Sequence, residues 1–273
     1  MPPPDERLGR WRSFRNVDAA GDSPSLRAYL DDLAELPVVA RQKRQSLSLL
    51  GLAPGAHCLD VGCGAGPELG WLAQQVGPDG SVVGLDRSRH LLDAAAARHD
   101  DAVITLVHGD ALALPFPDET FDGVRTDRTL QHVNDPARAL SELVRVTRPG
   151  GRVVISEFRW GLVGPELDRS VTDQVLHALT PEEDRREWVG HRLAELAADA
   201  GLRHLEAVTE TDEVEDAAGM AQLLNLDWSL SAAVHGGRLS EQEGRAWRHS
   251  LEAQAGRGDA FAVLLFLHVF GTA

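Results

Sequence analysis

The stretch DVGCGAGPE, residues 60–68, sets an acid, Asp60, ahead of three glycines at alternating positions, Gly62, Gly64 and Gly66, and a proline follows them. Glycines at that spacing let the backbone turn sharply and approach a ligand with no Cβ in the way. The turn is therefore a cradle for a small polar ligand, and Pro67 suits the first helical turn after it, where a missing N–H does no harm. Two phosphate-binding readings lose ground on the residues themselves. A dinucleotide fingerprint, GxGxxG, needs its third glycine at position 67, where proline stands, and a P-loop needs a Gly-Lys-Ser/Thr ending that is absent. Two more acids close strand-like segments further on, Asp86 in SVVGLD and Asp110 in VHGD. Cys58 and Cys63 are the only cysteines and have no partners at metal-ligand spacing, so they read as small buried side chains, with neither a disulfide framework nor a zinc site.

The elements that must position these groups alternate along the chain. HCLDV, SVVGLD, AVITLVHGD, FDGVRT, GRVVISEF, LRHLEAVTE and FAVLLFLHVF read as strands, several of them near-continuous apolar runs of the kind buried on both faces of a parallel sheet. The segments between them read as helices. Leu69, Leu72, Ala73 and Val76 make one apolar stripe. In NDPARALSELVRVTRPGG, Asp135 caps a helix that Pro136 opens and Pro149-Gly150-Gly151 ends. Val189, Leu193, Leu196, Ala197 and Ala200 share the face of another that stops at Gly201. Strict alternation implies right-handed crossovers and a doubly wound α/β sheet with helices on both faces, which binds ligands beyond the carboxyl ends of its strands. Residues 159 to about 187 and about 213–258 exceed what the sheet needs and read as a helical cap, the second part inserted before the last strand.

Taken in order, the acid-led glycine turn, Asp86, Asp110 and the segments LPFPDETFDGV and LSELVRVTRPGGRVVISE resemble the class I S-adenosylmethionine-dependent methyltransferases, in the branch of the ubiquinone/menaquinone-type and bacterial natural-product methyltransferases. The match runs from about residue 50 to 160. It implies a Rossmann-like, mostly parallel seven-stranded sheet, S-adenosyl-L-methionine as cofactor and S-adenosyl-L-homocysteine as product. It places Asp60, Gly62, Gly64 and Gly66 around the methionine portion, Asp86 on both ribose hydroxyls, Asp110 and Ala111 at the adenine amine and ring edge, and Arg87 beside the ring. The chemistry agrees: a ribose diol offers two donors that one carboxylate accepts together, and the adenine amine needs an acceptor. Tyr29, the only tyrosine, lies in an N-terminal helix that in several relatives folds over the cofactor and brings a hydroxyl to its carboxylate; packing explains it equally. The resulting division is an arm and helical lid over residues 1–50, a cofactor-binding core over 51–160, and 161–273 completing the sheet and carrying the acceptor-binding cap.

In this family the segment after the fourth strand, here RTDRTLQHVND, lines the junction of cofactor and acceptor, which makes Asp127, Arg128, Gln131 and His132 the polar candidates. Arg128 is assigned to the cofactor side, and His132 and Asp127 to catalysis. Methyl transfer from a sulfonium is a direct displacement that demands near-attack geometry. A base helps only where the acceptor must lose a proton, and histidine suits that near neutral pH. A loop-bracing role for His132 stands beside this one, and His177 is a weaker candidate. Trp160, Trp188, Trp228 and Trp247 fall in or beside the inserted segments; they suit a large, partly apolar or aromatic acceptor and equally the packing of a cap.

Composition narrows the function classes. Lys+Arg of 27 against Asp+Glu of 42 gives a net charge of -15, which opposes nucleic acid and anionic membrane surfaces. No run reaches the ~20 apolar residues of a spanning helix, and MPPPDERLGRWRSF lacks the apolar centre of a secretory signal, so the expectation is a cytoplasmic protein with a small-molecule acceptor and no metal; a homodimer is left open. The leading reading is methyl transfer to an oxygen, ahead of nitrogen or carbon, of a small, partly apolar secondary metabolite. The alternative keeps the same fold for a cyclisation or rearrangement, with the cofactor as a structural ligand.

Overall fold

A computed structural model describes residue 18 and residues 30–34, 36–179 and 188–273. Seven strands, β1 (His57–Val61), β2 (Ser81–Asp86), β3 (Ile104–His108), β4 (Phe121–Asp127), β5 (Thr147–Val163), β6 (Arg203–Val214) and β7 (Phe261–Thr272), form one sheet in the order β3-β2-β1-β4-β5-β7-β6. The pairs β1/β2, β1/β4, β2/β3 and β4/β5 are parallel. Beyond β5 the Gly150 N–H donates to Ala273 and the Ala273 N–H to Gly151, so the end of β7 meets the start of β5 and the two strands run in opposite directions. The Rossmann-like, mostly parallel sheet and the helical insertion before its last strand are therefore present as the sequence implies. Strand order reverses on either side of β1, which makes the carboxyl ends of β1 and β4 the topological switch point.

By contacts along the backbone the chain forms two units. One comprises 40–158, 189–210 and 266–273; the other comprises the described residues up to 39, with those of 159–188 and 211–265. The first holds most of the sheet with helix α1 (Pro37–Leu49) from residue 40 onward and helices α2 (Leu69–Val76), α3 (Arg89–Arg98), α4 (Pro136–Val146) and α6 (Leu193–Asp199). The stripe Leu69, Leu72, Ala73 and Val76 is buried and joins Leu47, Cys58, Val82, Val154 and Phe270 in one cluster; each leucine, valine or phenylalanine withdrawn from water there is worth about 1.5–3 kcal/mol. Asp135 caps α4 by accepting the Arg138 N–H at 2.9 Å, with Pro136 in its first turn. Gly201 follows α6 at φ +102°. The second unit carries α5 (Arg169–Leu179), α7 (Ala217–Leu223), α8 (Leu226–His235) and α9 (Glu241–Ala255), the last opened by a Ser240/Glu243 capping box.

Two local expectations differ. Alternation breaks between β3 and β4, where residues 109–120 hold a single bridge, Asp110 with Ala113, and no helix; Pro115 and Pro117 remove two donors a helix would need. Pro67 lies in the turn ahead of α2, whose N-cap is Glu68, one step short of the first helical turn.

Candidate active site

The glycine turn sits at the carboxyl end of β1. Gly62, Gly64 and Gly66 all take positive φ, +78°, +56° and +69°, a region that excludes most side chains. Their surroundings divide their tasks. A Cβ on Gly62 would lie 2.2 Å from Thr129 Oγ1, so this glycine lets the loops after β1 and β4 meet; Thr129 Oγ1 also donates to Asp127 O at 3.1 Å. A Cβ on Gly66 would press on Leu69 and Ala95, so this glycine seats the turn on the helices. At Gly64 a Cβ would meet nothing within 4 Å. That position alone of the three faces open space.

Asp86, at the end of β2, is buried, and its two oxygens accept the N–H of Gly64 at 2.9 Å and of Ser88 at 2.8 Å. It thereby fixes the turn, and a carboxylate has lone-pair directions beyond two such bonds for a pair of hydroxyls. Arg87 is exposed, its carbonyl accepting from or facing His108 Nε2 at 3.0 Å. Asp110 is exposed after β3 and takes the Leu112 N–H on Oδ1 at 2.9 Å, while Ala111 beside it is buried. These groups line the ends of neighbouring parallel strands, with Asp86 in register with His108 and Val61 in register with Leu85.

Asp60 is placed differently. It is in register with Arg125 on β4, so the two side chains leave the same face of the sheet, and Arg125 Nη1 lies 3.3 Å from Asp60 Oδ2. Asp127, two residues on and on the same face, lies 3.1 Å from Arg125 Nη2 and 3.4 Å from Arg128 Nε. Arg125 is wholly buried. Burial pushes the Asp60 carboxyl up to about 6 against the pull of Arg125. Burial acts in the same sense on Asp127, but Arg128 and Arg125, helped by Lys43, outweigh it and hold that carboxyl below its ordinary value. Arg128 itself adopts φ +55°, donates its N–H to Ser156 O at 2.8 Å, and stacks its guanidinium 5.7 Å from the centre of the Phe158 ring.

His132 ends a short 3-10 turn, Leu130–His132, and its N–H donates to Thr129 O at 2.9 Å. Beneath the turn, buried Glu157 of β5 accepts the Leu130 N–H on Oε1 at 3.0 Å, while its Oε2 and Gln131 Oε1 have no hydrogen-bond partner. Burial, with Asp127 nearby, pushes the Glu157 acid up to about 8. Its folded value lies above the usual carboxylate range, so the native state keeps a proton that the unfolded chain loses. The stability it lends is complete below about pH 4.5 and falls as pH rises to about 8, at about 1.4 kcal/mol per pH unit of that window. Glu157→Gln is expected to remove this slope. Urea titrations of both proteins from pH 5 to 8.5 check it, and parallel pH dependences would refute the protonated acid.

A polar chain continues under α1. Ser46 Oγ lies 2.8 Å from Ser156 Oγ, which lies 2.8 Å from His268 Nδ1; His268 Nε2 faces Gln42 Oε1 at 3.3 Å, and Gln42 Nε2 donates to Glu210 at 2.6 Å. Glu210 only accepts, so the Gln42 amide oxygen points at His268, which donates from Nε2 and accepts at Nδ1. Lys43 pairs with Glu68, tying α1 to the N-cap of α2. Lys43, Glu68, Arg125, Glu157 and His268 were not singled out by the sequence. The usable signal was a charge inside a doubly buried strand: Arg125 in FDGVRT, Glu157 in GRVVISEF and His268 in FAVLLFLHVF.

Asp60, Gly62, Gly64, Gly66, Asp86, Arg87, Asp110, Ala111, Asp127, Arg128 and His132 thus all belong to the unit that holds most of the sheet, at or just after the carboxyl ends of β1 to β4. Tyr29 lies outside the described residues. His177, Trp160, Trp188, Trp228 and Trp247 belong to the other unit, where Trp247 Nε1 donates to Thr172 Oγ1 at 2.8 Å and Arg159 stacks 5.9 Å from the Trp188 ring. Among the described residues no helix is long and apolar enough to cross a membrane, and no cluster of three or more His, Cys, Asp or Glu could hold a metal ion.

Residues 59–155 match the family described as a methyltransferase domain. The chain is 38% identical over 236 residues to an uncharacterized 37.1 kDa protein in a transposon of Streptomyces fradiae, covering 83% of this chain and 66% of that one. It is 33% identical over 180 residues to the demethylmenaquinone methyltransferase of Bacillus licheniformis, covering 59% of this chain and 77% of the enzyme. The first curated relatives it matches are spanned over only 47% to 66% of their own length. Among solved structures, the YcgJ protein of Bacillus subtilis shares the fold, with a TM-score of 0.55, 17% identity, and coverage of 84% of this chain and 98% of that one.

Proposed function

The chain belongs to the class I S-adenosylmethionine-dependent methyltransferases, related to the demethylmenaquinone methyltransferases, and from that premise we propose that it moves a methyl group to an oxygen of a small, partly apolar metabolite of the quinone type. The observation that carries the reading is the Gly62–Gly66 turn at the switch point: Gly64, at φ +56° with open space where a side chain would stand, has its N–H held by Asp86. The residues fit the cofactor. Asp86 takes the ribose hydroxyls, Asp110 and Ala111 take the adenine, Arg87 covers the ring, and the glycine turn receives the methionine portion, with Arg128 on the cofactor side of the loop after β4. When bound, S-adenosylmethionine supplies an electrophilic methyl on a sulfonium.

Asp60 acts through Arg125, as a brace for the end of β1. Asp127, held ionised between two guanidiniums, is a weak proton acceptor and a strong anchor for Arg128. That leaves His132 to accept the proton of a hydroxyl acceptor. Asp86→Ala is expected to weaken S-adenosylhomocysteine binding by on the order of 2–3 kcal/mol, a charge-assisted pair of bonds, as read by calorimetric titration. Unchanged affinity would contradict the ribose assignment. The function itself is tested by incubating the protein with methyl-labelled S-adenosylmethionine and quinol acceptors or producer-cell extract. Label in the product together with S-adenosylhomocysteine supports transfer, and nuclear magnetic resonance of the product places the methyl on oxygen, carbon or nitrogen. Turnover of the acceptor without S-adenosylhomocysteine would overturn it in favour of a rearrangement.

A further inference from the structure

We propose that Arg138, Glu142 and Arg145 are positioning residues that hold the 109–120 loop so that Asp110 and Ala111 can read the adenine of the cofactor, an inference that rests on the adenine assignment above. The ends of the loop are tied by backbone, the Gly109 N–H to Asp86 O and the Glu119 and Thr120 N–H groups to Arg145 O and Val146 O, and Thr120 Oγ1 donates to Pro117 O at 2.7 Å, which leaves the stretch from Leu112 to Phe116 to be fixed. Asp110 closes a tight turn through its bonds to Leu112 and Ala113, and beyond that Pro115 and Pro117 bring no N–H. Its backbone groups nevertheless need partners.

One face of α4 supplies them. Arg138 Nε donates to Leu112 O at 3.0 Å, and Glu142 Oε2 accepts the Leu114 N–H at 2.8 Å. Arg145 donates to Leu114 O at 3.1 Å, to Phe116 O at 2.8 Å and to Asp118 at 2.8 Å. Its remaining donors bind both Glu142 oxygens, at 2.9 and 2.8 Å. The three residues stand at i, i+4 and i+7, and the carbonyls they take belong to alternate loop residues, so the helix face acts in place of a neighbouring strand. Leu112, gripped through its carbonyl by Arg138, gives its own N–H to Asp110 Oδ1. The clamp therefore reaches the adenine-side carboxylate through one residue.

Docking of α4 does not depend on the clamp. Ala139, Leu140, Leu143 and Val146 bury its opposite face, so the polar face is left to hold the loop. Arg145 uses the planar fork of its guanidinium on four partners at once, a geometry that an ammonium does not reproduce.

The test compares binding of S-adenosylhomocysteine with its hypoxanthine analogue, S-inosylhomocysteine, by calorimetry, with thermal unfolding measured alongside. Arg145→Ala is expected to weaken the adenine ligand about tenfold and the analogue far less, so that discrimination between the bases collapses. Arg145→Lys is expected not to restore it, and Glu142→Gln to narrow it by a smaller factor. Unchanged discrimination in Arg145→Ala and Glu142→Gln, whatever their unfolding temperatures, would overturn the clamp; if Arg145→Ala does not fold, Glu142→Gln and Arg145→Lys decide alone. Asp110→Ala separates the two layers. Lost discrimination there with intact discrimination in the clamp variants sinks the clamp only, while intact discrimination in Asp110→Ala sinks the adenine assignment and the clamp with it.

Discussion

Gly64→Val is expected to abolish measurable binding of S-adenosylhomocysteine in a protein that still folds. Two effects meet at this residue. The valine must occupy φ +56°, which costs a β-branched residue roughly 1–2 kcal/mol or somewhat more of stability. Its side chain also fills the one part of the turn that faces open space, beside the N–H that Asp86 accepts at 2.9 Å. Backbone strain alone does not remove binding, and the fold supplies the control. Gly77, at the other end of α2, also has positive φ, +67°, with nothing within 4 Å of an added Cβ. Gly77 pairs its φ with ψ −173°, a region essentially reserved to glycine, so Gly77→Val is expected to lower the unfolding temperature and to leave the affinity within about twofold of wild type. Calorimetric titration and thermal unfolding of the pair check this. Equal losses of affinity in both variants would mean that Gly64 matters for folding and not for the ligand.

That turn was legible in the sequence because its determinants are local. Three glycines at alternate positions, an acid before them and an amphipathic stripe after them lie within twenty residues, and the same holds for the Asp135-Pro136 start of α4. The partners of the buried charges were not legible. Asp60 and Arg125 are 65 residues apart and meet only because β1 lies beside β4 in one register. A charge inside the strand FDGVRTD signals a buried guanidinium, but nothing near Arg125 names Asp60 as one of the carboxylates that hold it. Likewise His268 and Ser156 come together only once β7 has been laid beside β5, 112 residues away. The 109–120 loop failed for a related reason. Its order comes from groups of α4 that lie outside the loop, so strict alternation of strand and helix placed a helix there although its two prolines argue otherwise.

His132→Ala is expected to lower turnover by about 10²–10⁴-fold while S-adenosylhomocysteine binds nearly as before. The turn that carries the residue is held by backbone groups: the Leu130 N–H on Glu157, the His132 N–H on Thr129 O, and the Arg128 N–H on Ser156 O. Removing the imidazole leaves all three backbone bonds in place, so the turn keeps these supports, and a base role puts the loss on the chemical step. The neighbouring carboxylate does not substitute for it, because Arg125 and Arg128 hold Asp127 in its charged, weakly basic form. In the wild-type enzyme the rate should climb with pH as the imidazole gives up its proton and then level off, since only the neutral ring can accept a proton from the acceptor hydroxyl. Alanine should flatten that limb, and the residual rate should reflect proximity alone. A bracing role makes the opposite forecast: weaker cofactor or acceptor binding, a lower unfolding temperature, and an unaltered pH profile in the activity that remains. Single-turnover rates from pH 5.5 to 8.5 with the variant saturated in both ligands decide between them, and a wild-type rate and profile would remove His132 from the reaction and leave the acceptor to enter already in its nucleophilic form.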